Sequence, residues 1–289
     1  MEQLPGERFG TASLRAAAVL GGFMLFTVLL MPVQAGLLRL GSRYARTFPY
    51  WYHKRVCRLL GIRLHIEGAV ARDRPVLIVA NHTSWLDIPV LSAVAPLSFV
   101  AKKEVGTWPF VRSLARLQRT VFVDRTRRQS VGGTADEMLA RLAAGDALVL
   151  FAEGTSSDGN RVLPFKTSLF AAAKPARTAM SQNEPSAAVV QTLALVYTHV
   201  HGVPLARGDR PLIGWYGDME MGSHAWALLK AGPIDVRIVV GPPVPLDAFT
   251  DRKQLAAHAE TEVRRSVVGV LRGTLGLQSV SQSGSRSVG

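Results

Sequence analysis

An α/β fold with a mixed, largely parallel sheet flanked by helices, preceded by an N-terminal membrane helix or helical hairpin, is what the sequence predicts. Three observations carry this: an uncharged stretch from Ala16 to Leu38, short Val- and Ile-rich runs alternating with helical patterns after it, and polar residues at the ends of three of those runs. At 289 residues, 48% of them hydrophobic, the chain has room for one large α/β domain with attachments, or for two modest domains. Its single cysteine, Cys57, excludes an intrachain disulfide and a multi-cysteine zinc site, and reads as inert packing in a reducing compartment.

The N-terminal stretch is long enough to cross the roughly 30 Å hydrocarbon layer as a helix. Arg15 and Arg39 bracket it, and positive charge is denser after it (Arg39, Arg43, Arg46, Lys54, Arg55, Arg58) than before it. The positive-inside tendency therefore puts the bulk of the chain in the cytoplasm, at the inner membrane. Two rival readings exist. Val33-Gln34-Ala35 resembles a signal cleavage site. Alternatively Pro32 and Gly36 break the run into a re-entrant hairpin, with the aromatic, basic segment Tyr44 to Leu60 along the interface. The expected division is a membrane-anchoring segment 1–60, a main domain 61–275 and a disordered Ser- and Gly-rich tail 276–289.

Within the main domain the expected strands are Ile62 to Glu67, Val76 to Ala80, Ser98 to Ala101, Thr120 to Val123, Ala147 to Phe151, Val189 to Tyr197 and Val236 to Val240. Thr134 to Ala144 reads as a helix with Met138, Leu139 and Leu142 on one face and Gly145 as its stop. Leu255 to Leu271 reads as a closing amphipathic helix, and Lys174 to Ser186 as a loop or lid.

Open α/β sheets bind ligands at the carboxyl ends of their strands. Val76 to Ala80 runs into Asn81-His82, Thr120 to Val123 into Asp124-Arg125, and Ala147 to Phe151 into Ala152-Glu153-Gly154-Thr155. If these strands are parallel, the three tips form one site. His82 and Asp87, five apart, face different sides of any regular helix, so they meet only across a turn, with Asp87 as N-cap of a helix that has Pro89 in its first turn. Such a pair suits alcohol activation: a neutral imidazole takes the hydroxyl proton, and the carboxylate fixes its tautomer. Glu153-Gly154-Thr155 offers a glycine for close backbone approach and donors for a phosphate or an oxyanion. Arg125 suits a phosphate through its planar fork, and Lys102 and Lys103 supply less directional charge.

Competing classes lose ground on the same residues. Asn160-Arg161 stands where a nucleotide P-loop needs Lys and Ser or Thr, which excludes an ATPase of that type. No Gly-x-Ser-x-Gly elbow supplies a hydrolase nucleophile. The formal charge of +13 implies an anionic partner. Anionic membrane lipids fit it better than nucleic acid, since three ordered polar strand tips are not a nucleic-acid signature; a non-catalytic basic membrane or nucleic-acid-binding protein is the remaining alternative. His199, His201, Asp218, Glu220 and His224 are explained by turns and hydrogen bonds, so no metal is expected.

Taken together, Asn81 to Asp87, Phe122-Val123-Asp124-Arg125 and Phe151-Ala152-Glu153-Gly154-Thr155 occur in the order of the blocks of the phospholipid and glycerol acyltransferase superfamily. From Arg63 to Val244 the chain resembles its bacterial 1-acylglycerol-3-phosphate acyltransferases. The resemblance implies that His82, oriented by Asp87, deprotonates the free hydroxyl of a lysolipid, which attacks a thioester of coenzyme A or acyl carrier protein. It further implies that Arg125, Glu153, Gly154 and Thr155 help bind a phosphate-bearing acceptor, and that no cofactor is needed. The expected product is phosphatidic acid. The fourth family block falls at Val189 to Tyr197, with Gln191-Thr192 in place of the usual proline, and Trp215 to Glu220 with Tyr197-Thr198 also resembles the lyso-ornithine lipid acyltransferase branch. That branch supplies the alternative acceptor, an amino-acid lipid without phosphate.

Overall fold

The computed structural model describes residues 9–72, 74–102, 109–123, 130–170 and 188–275. The loop expected at 174–186 and the tail from 279 lie outside these residues.

Helix α1 (Phe9–Arg39) and helix α2 (Tyr44–Leu59) form an N-terminal hairpin. Then come β1 (Ile62–Glu67), β2 (Val76–Ala80), α3 (Asp87–Ser92), β3 (Ser98–Lys102), α4 (Pro109–Leu117), β4 (Val121–Val123), α5 (Ser130–Ala143) and β5 (Ala147–Phe151). The chain continues through β6 (Val189–Val200), β7 (Val203–Pro204), α6 (Met221–Ala231), β8 (Ile234–Val240), β9 (Val244–Pro245) and α7 (Arg252–Leu271). The described strands form one sheet in the order β1-β8-β6-β2-β5-β3-β4, with β7 and β9 pairing to β6. Strands β6, β2, β5, β3 and β4 are mutually parallel, whereas β8 runs antiparallel to β6 and carries β1 with it.

Strand β2 shows why the runs read so clearly: all five of its residues are buried, because helices cover both faces of the sheet. Leu77 and Val79 pack with Met138 and Leu142 of α5 and with Leu255, Ala259 and Val263 of α7. Val76, Ile78 and Ala80 pack with Cys57 of α2, Val90 and Leu91 of α3 and Leu228 of α6. Gly145, at φ 79°, takes the left-handed backbone that ends α5 and turns the chain into β5. Strand β6 runs to Val200, beyond its expected end, because antiparallel β8 keeps pairing with it there.

The N-terminal stretch forms one unbroken helix, as the straight-span reading expects, and not the re-entrant alternative. Pro32 and Gly36 do not break it: α1 continues to Arg39, and the turn falls at residues 40–43. Among described helices only α1 is long and apolar enough to cross a membrane, and little of it is buried. It is nevertheless fastened to the domain along its length. The Arg15 guanidinium donates to the Lys230 carbonyl at the end of α6 (2.7 Å), the Thr27 and Tyr52 hydroxyls share a hydrogen bond (2.7 Å), and Gln34 Nε2 donates to the carbonyls of Ala45 and Leu117 (3.0 and 2.9 Å). Residues 15 and 34 lie about 28 Å apart on a regular helix, so α1 lies along the flank of the domain.

Candidate active site

Parallel pairing brings the tips of β2, β5 and β4 to one edge of the sheet, with Ala80 opposite Phe151 on one side and Leu193 on the other. Lys103, which follows β3, and Asp124 and Arg125, which follow β4, lie outside the described residues, as does the side chain of Lys102 at the end of β3. His82, Asp87, Glu153, Gly154 and Thr155 are described, and the first four converge.

His82 Nδ1 lies 2.7 Å from Asp87 Oδ2. The same oxygen accepts the backbone N–H groups of Thr83 (2.7 Å) and Ser84 (3.0 Å), and Oδ1 accepts the Tyr197 hydroxyl (2.7 Å). These four donors fill the acceptor capacity of a fully buried carboxylate. Asp87 is therefore the first residue of α3 and not its N-cap: Leu86 precedes the helix, and the carboxylate folds back to close the 82–87 loop. Burial and the Asp87 charge hold the Tyr197 phenol well above its ordinary pKa, so it remains a donor.

A carboxylate facing Nδ1 requires the proton there, which leaves the Nε2 lone pair of a neutral ring free. Among described residues Nε2 has no hydrogen-bond partner, and one fifth of the side chain is exposed. The ring stacks on Phe151 at 4.1 Å between centroids, with 17° between planes. The loop after β5 grips the main chain of His82: its N–H donates to Glu153 Oε1 (2.8 Å), and its carbonyl accepts the Ser157 N–H (2.9 Å) and hydroxyl (3.2 Å).

Glu153 faces inward, its second oxygen accepting the Leu163 N–H (2.8 Å). It braces the site from beneath, and burial raises its pKa to about 7 against the pull of the two amides. Gly154, buried at φ 71°, makes the sharp turn that brings Glu153 under His82, while Thr155 is exposed.

Several supporting residues were not anticipated. Asn81 clamps β2 to β6, donating to the Leu195 carbonyl (2.9 Å) and accepting its N–H (2.8 Å). Neither Tyr197, one of three hydroxyl-bearing residues on β6, nor Phe151 carried a signal for its role. The indole N–H of Trp85 donates to His224 Nδ1 (3.1 Å), and burial lowers the His224 pKa, which keeps that nitrogen an acceptor. Glu220 caps α6 through the N–H groups of Gly222 and Ser223. Gln191, where the family block usually has proline, bonds the Ala71 N–H and the carbonyls of Ala69 and Gly241. Among the described residues no three His, Cys, Asp or Glu side chains gather as a metal site would require.

Residues 61–196 match the acyltransferase family model. The chain is 45% identical over 261 residues to a lyso-ornithine lipid O-acyltransferase of Brucella abortus, covering 90% of this chain and 97% of the relative. It is 32% identical to a 1-acyl-sn-glycerol-3-phosphate acyltransferase of Neisseria meningitidis, over 73% of this chain and 77% of that one. The crystal structure of the 1-acyl-sn-glycerophosphate acyltransferase PlsC from Thermotoga maritima superposes with a TM-score of 0.62 at 22% identity, over 90% of this chain and 98% of that one, and shares the fold.

Proposed function

The chain belongs to the acyltransferase family and acts on lysolipids, and from that premise we propose that it transfers an acyl group to the free hydroxyl of a lyso-ornithine lipid. The 45% identity across nearly the whole Brucella relative supports this acceptor over lysophosphatidic acid, whose named relative is more distant at 32%. The first-expected product, phosphatidic acid, thus yields to the alternative acceptor.

The observation that carries the chemistry is the 2.7 Å contact between His82 and Asp87. His82 Nε2 takes the proton of the acceptor hydroxyl, and the oxygen attacks the thioester carbonyl of an acyl-CoA or acyl carrier protein. The C–S bond breaks as the ester forms, and the imidazolium returns its proton to the departing thiolate. Asp87 stabilises the transient positive charge on the ring, and no nucleophilic side chain or cofactor enters the balance. Thr155, the exposed residue of the Glu-Gly-Thr turn, and Arg125, whose planar fork fits the carboxylate of an amino-acid lipid in place of a phosphate, are the proposed acceptor contacts.

Because α1 touches the domain near both of its ends, we infer that it lies in one leaflet, its exposed Leu14, Leu25 and Leu29 in lipid, with the domain on the cytoplasmic face of the inner membrane.

The test offers lyso-ornithine lipid and lysophosphatidic acid together, with an acyl thioester, to membranes carrying the chain or its His82→Ala variant. The expected result by mass spectrometry is diacylated ornithine lipid that depends on His82. Phosphatidic acid as the main His82-dependent product would overturn the acceptor, and product from the variant at the wild-type rate would overturn the mechanism.

A further inference from the structure

At the edge of the sheet opposite His82, a cavity of about 170 Å³ opens where the first turn of α2 meets the starts of β3 and β5. Arg46 and Thr47 line it from α2, Ser98 from β3, Arg119 from the turn after α4, and Asp146 from the turn before β5. The five residues of β5 separate it from the candidate active site, a span of about 17 Å.

The charge here does not balance among the described residues. Three guanidinium groups share one buried carboxylate: Arg119 grips Asp146 with two N–H groups (3.2 and 2.7 Å), Arg141 Nε bonds it, and Arg46 Nε stands at 3.5 Å. Arg119 and Arg141 keep only 18% and 19% of their side chains exposed, and burying cations without equal counter-charge is costly. Burial and the neighbouring Arg141 lower the Arg119 pKa, as expected where positive charge is in surplus. Arg119 also adopts a φ of 61°, a left-handed backbone that non-glycine residues rarely take. The first turn of α2 lines the same cavity and holds no acidic residue, so its dipole adds positive field there, although its leading amides are already taken: the Tyr44 N–H donates to the Ser42 hydroxyl (3.3 Å) and the Ala45 N–H to the Ser42 carbonyl (3.0 Å).

We propose that this cavity binds a phosphate group, held between the Arg46 and Arg119 guanidinium forks and facing the N-terminus of α2. Such an anion supplies the counter-charge the cluster lacks and accepts charge-assisted hydrogen bonds from the N–H groups that Arg119 does not give to Asp146 and that Arg46 does not give to Asp146 or the Ala144 carbonyl. It has two sources, the headgroup of an anionic phospholipid beside the N-terminal hairpin or free inorganic phosphate. The site is independent of the acceptor bound at His82.

The experiment uses the full chain in neutral detergent with inorganic phosphate or chloride at matched ionic strength. A second arm uses phosphatidylcholine vesicles with and without phosphatidylglycerol. Binding is read as the phosphate- or lipid-dependent rise in Tm relative to each variant's own value in chloride, so a variant with lower basal stability still reports. Phosphate is expected to raise the wild-type Tm, Arg46→Gln to weaken binding about tenfold, and Arg265→Gln, a 69% exposed control, to leave it unchanged. Lysolipid turnover in detergent is expected to be the same for Arg46→Gln and wild type. Protection by vesicles alone supports a lipid headgroup as occupant, protection by free phosphate alone supports the soluble anion, and protection by both supports a site open to either. Absence of protection in both arms, or equal loss in Arg265→Gln, would overturn the proposal.

Discussion

Asp87 and Asp146 lie at opposite edges of the same sheet, both buried and both saturated with donors, yet their partners differ in kind. Asp87 collects two amide N–H groups, a phenol and one imidazole nitrogen, all able to donate while neutral. Asp146 collects three guanidinium groups that are always charged. A carboxylate among neutral donors keeps its negative charge, which in the proposed mechanism stabilises a histidine that becomes positive during turnover. A carboxylate among arginines has its charge neutralised already and serves to tie α2, the turn after α4 and the α5–β5 turn together. Burial alone does not separate a chemical aspartate from a structural one; the protonation behaviour of its partners does.

The comparison predicts opposite consequences for the same substitution. Asp87→Asn is expected to lower turnover by about 10²- to 10⁴-fold with the chain still folded, because the amide no longer enforces the His82 tautomer. Asp146→Asn is expected to leave turnover in detergent unchanged and to lower unfolding stability by about 3 kcal/mol, since two largely buried guanidinium groups lose their counter-charge. Steady-state kinetics and denaturant unfolding on both variants check this; a stability loss without an activity loss in Asp87→Asn would erase the distinction.

Glu153 sharpens the comparison as a third buried carboxylate. Folded, it titrates near 7 against 4.5 for an unperturbed glutamate, so the folded chain holds this proton more tightly than the unfolded chain. Its contribution to stability is complete below 4.5 and is lost as pH rises through about 7, by at most about 3 kcal/mol. Denaturant unfolding at about pH 5 and about pH 8 is expected to show this decline in wild type and not in Glu153→Gln. The smallest effect belongs to Tyr197→Phe, which removes one donor from Asp87. Stability is expected to fall by about 1 kcal/mol and turnover by about tenfold, with membrane attachment unchanged.

What could be read from the chain follows the range of each interaction. Strands β2 and β5 matched their expected limits because strands covered on both faces become unbroken apolar runs, the edge strand β1 matched by the alternation of Ile62, Leu64 and Ile66 with polar residues, and Met138 and Leu142 marked the buried face of α5 by spacing alone. His82 and Asp87 were visible because the loop joining them is local. The N-cap role expected for Asp87 failed because capping rules consider only the amides ahead of a residue, whereas its bonds run backwards to Thr83 and Ser84. Tyr197 reaches Asp87 across 110 residues, and Gln34 reaches Leu117 across 83, so pattern along the chain carried no trace of either contact. Gln34 is the instructive case. A polar residue in an apolar helix reads as a cleavage signal or a defect until the carbonyls it bonds are known.

The central claim, that Asp87 holds His82 with its proton on Nδ1 and a free lone pair on Nε2, is tested most directly by nitrogen-15 NMR of the histidine-labelled chain, assigned by comparison with His82→Ala. The account predicts a neutral His82 protonated at Nδ1, with Asp87→Asn shifting the proton toward Nε2. A wild-type ring protonated at Nε2 would contradict it, since the nitrogen left to act as base would then be the one turned toward Asp87.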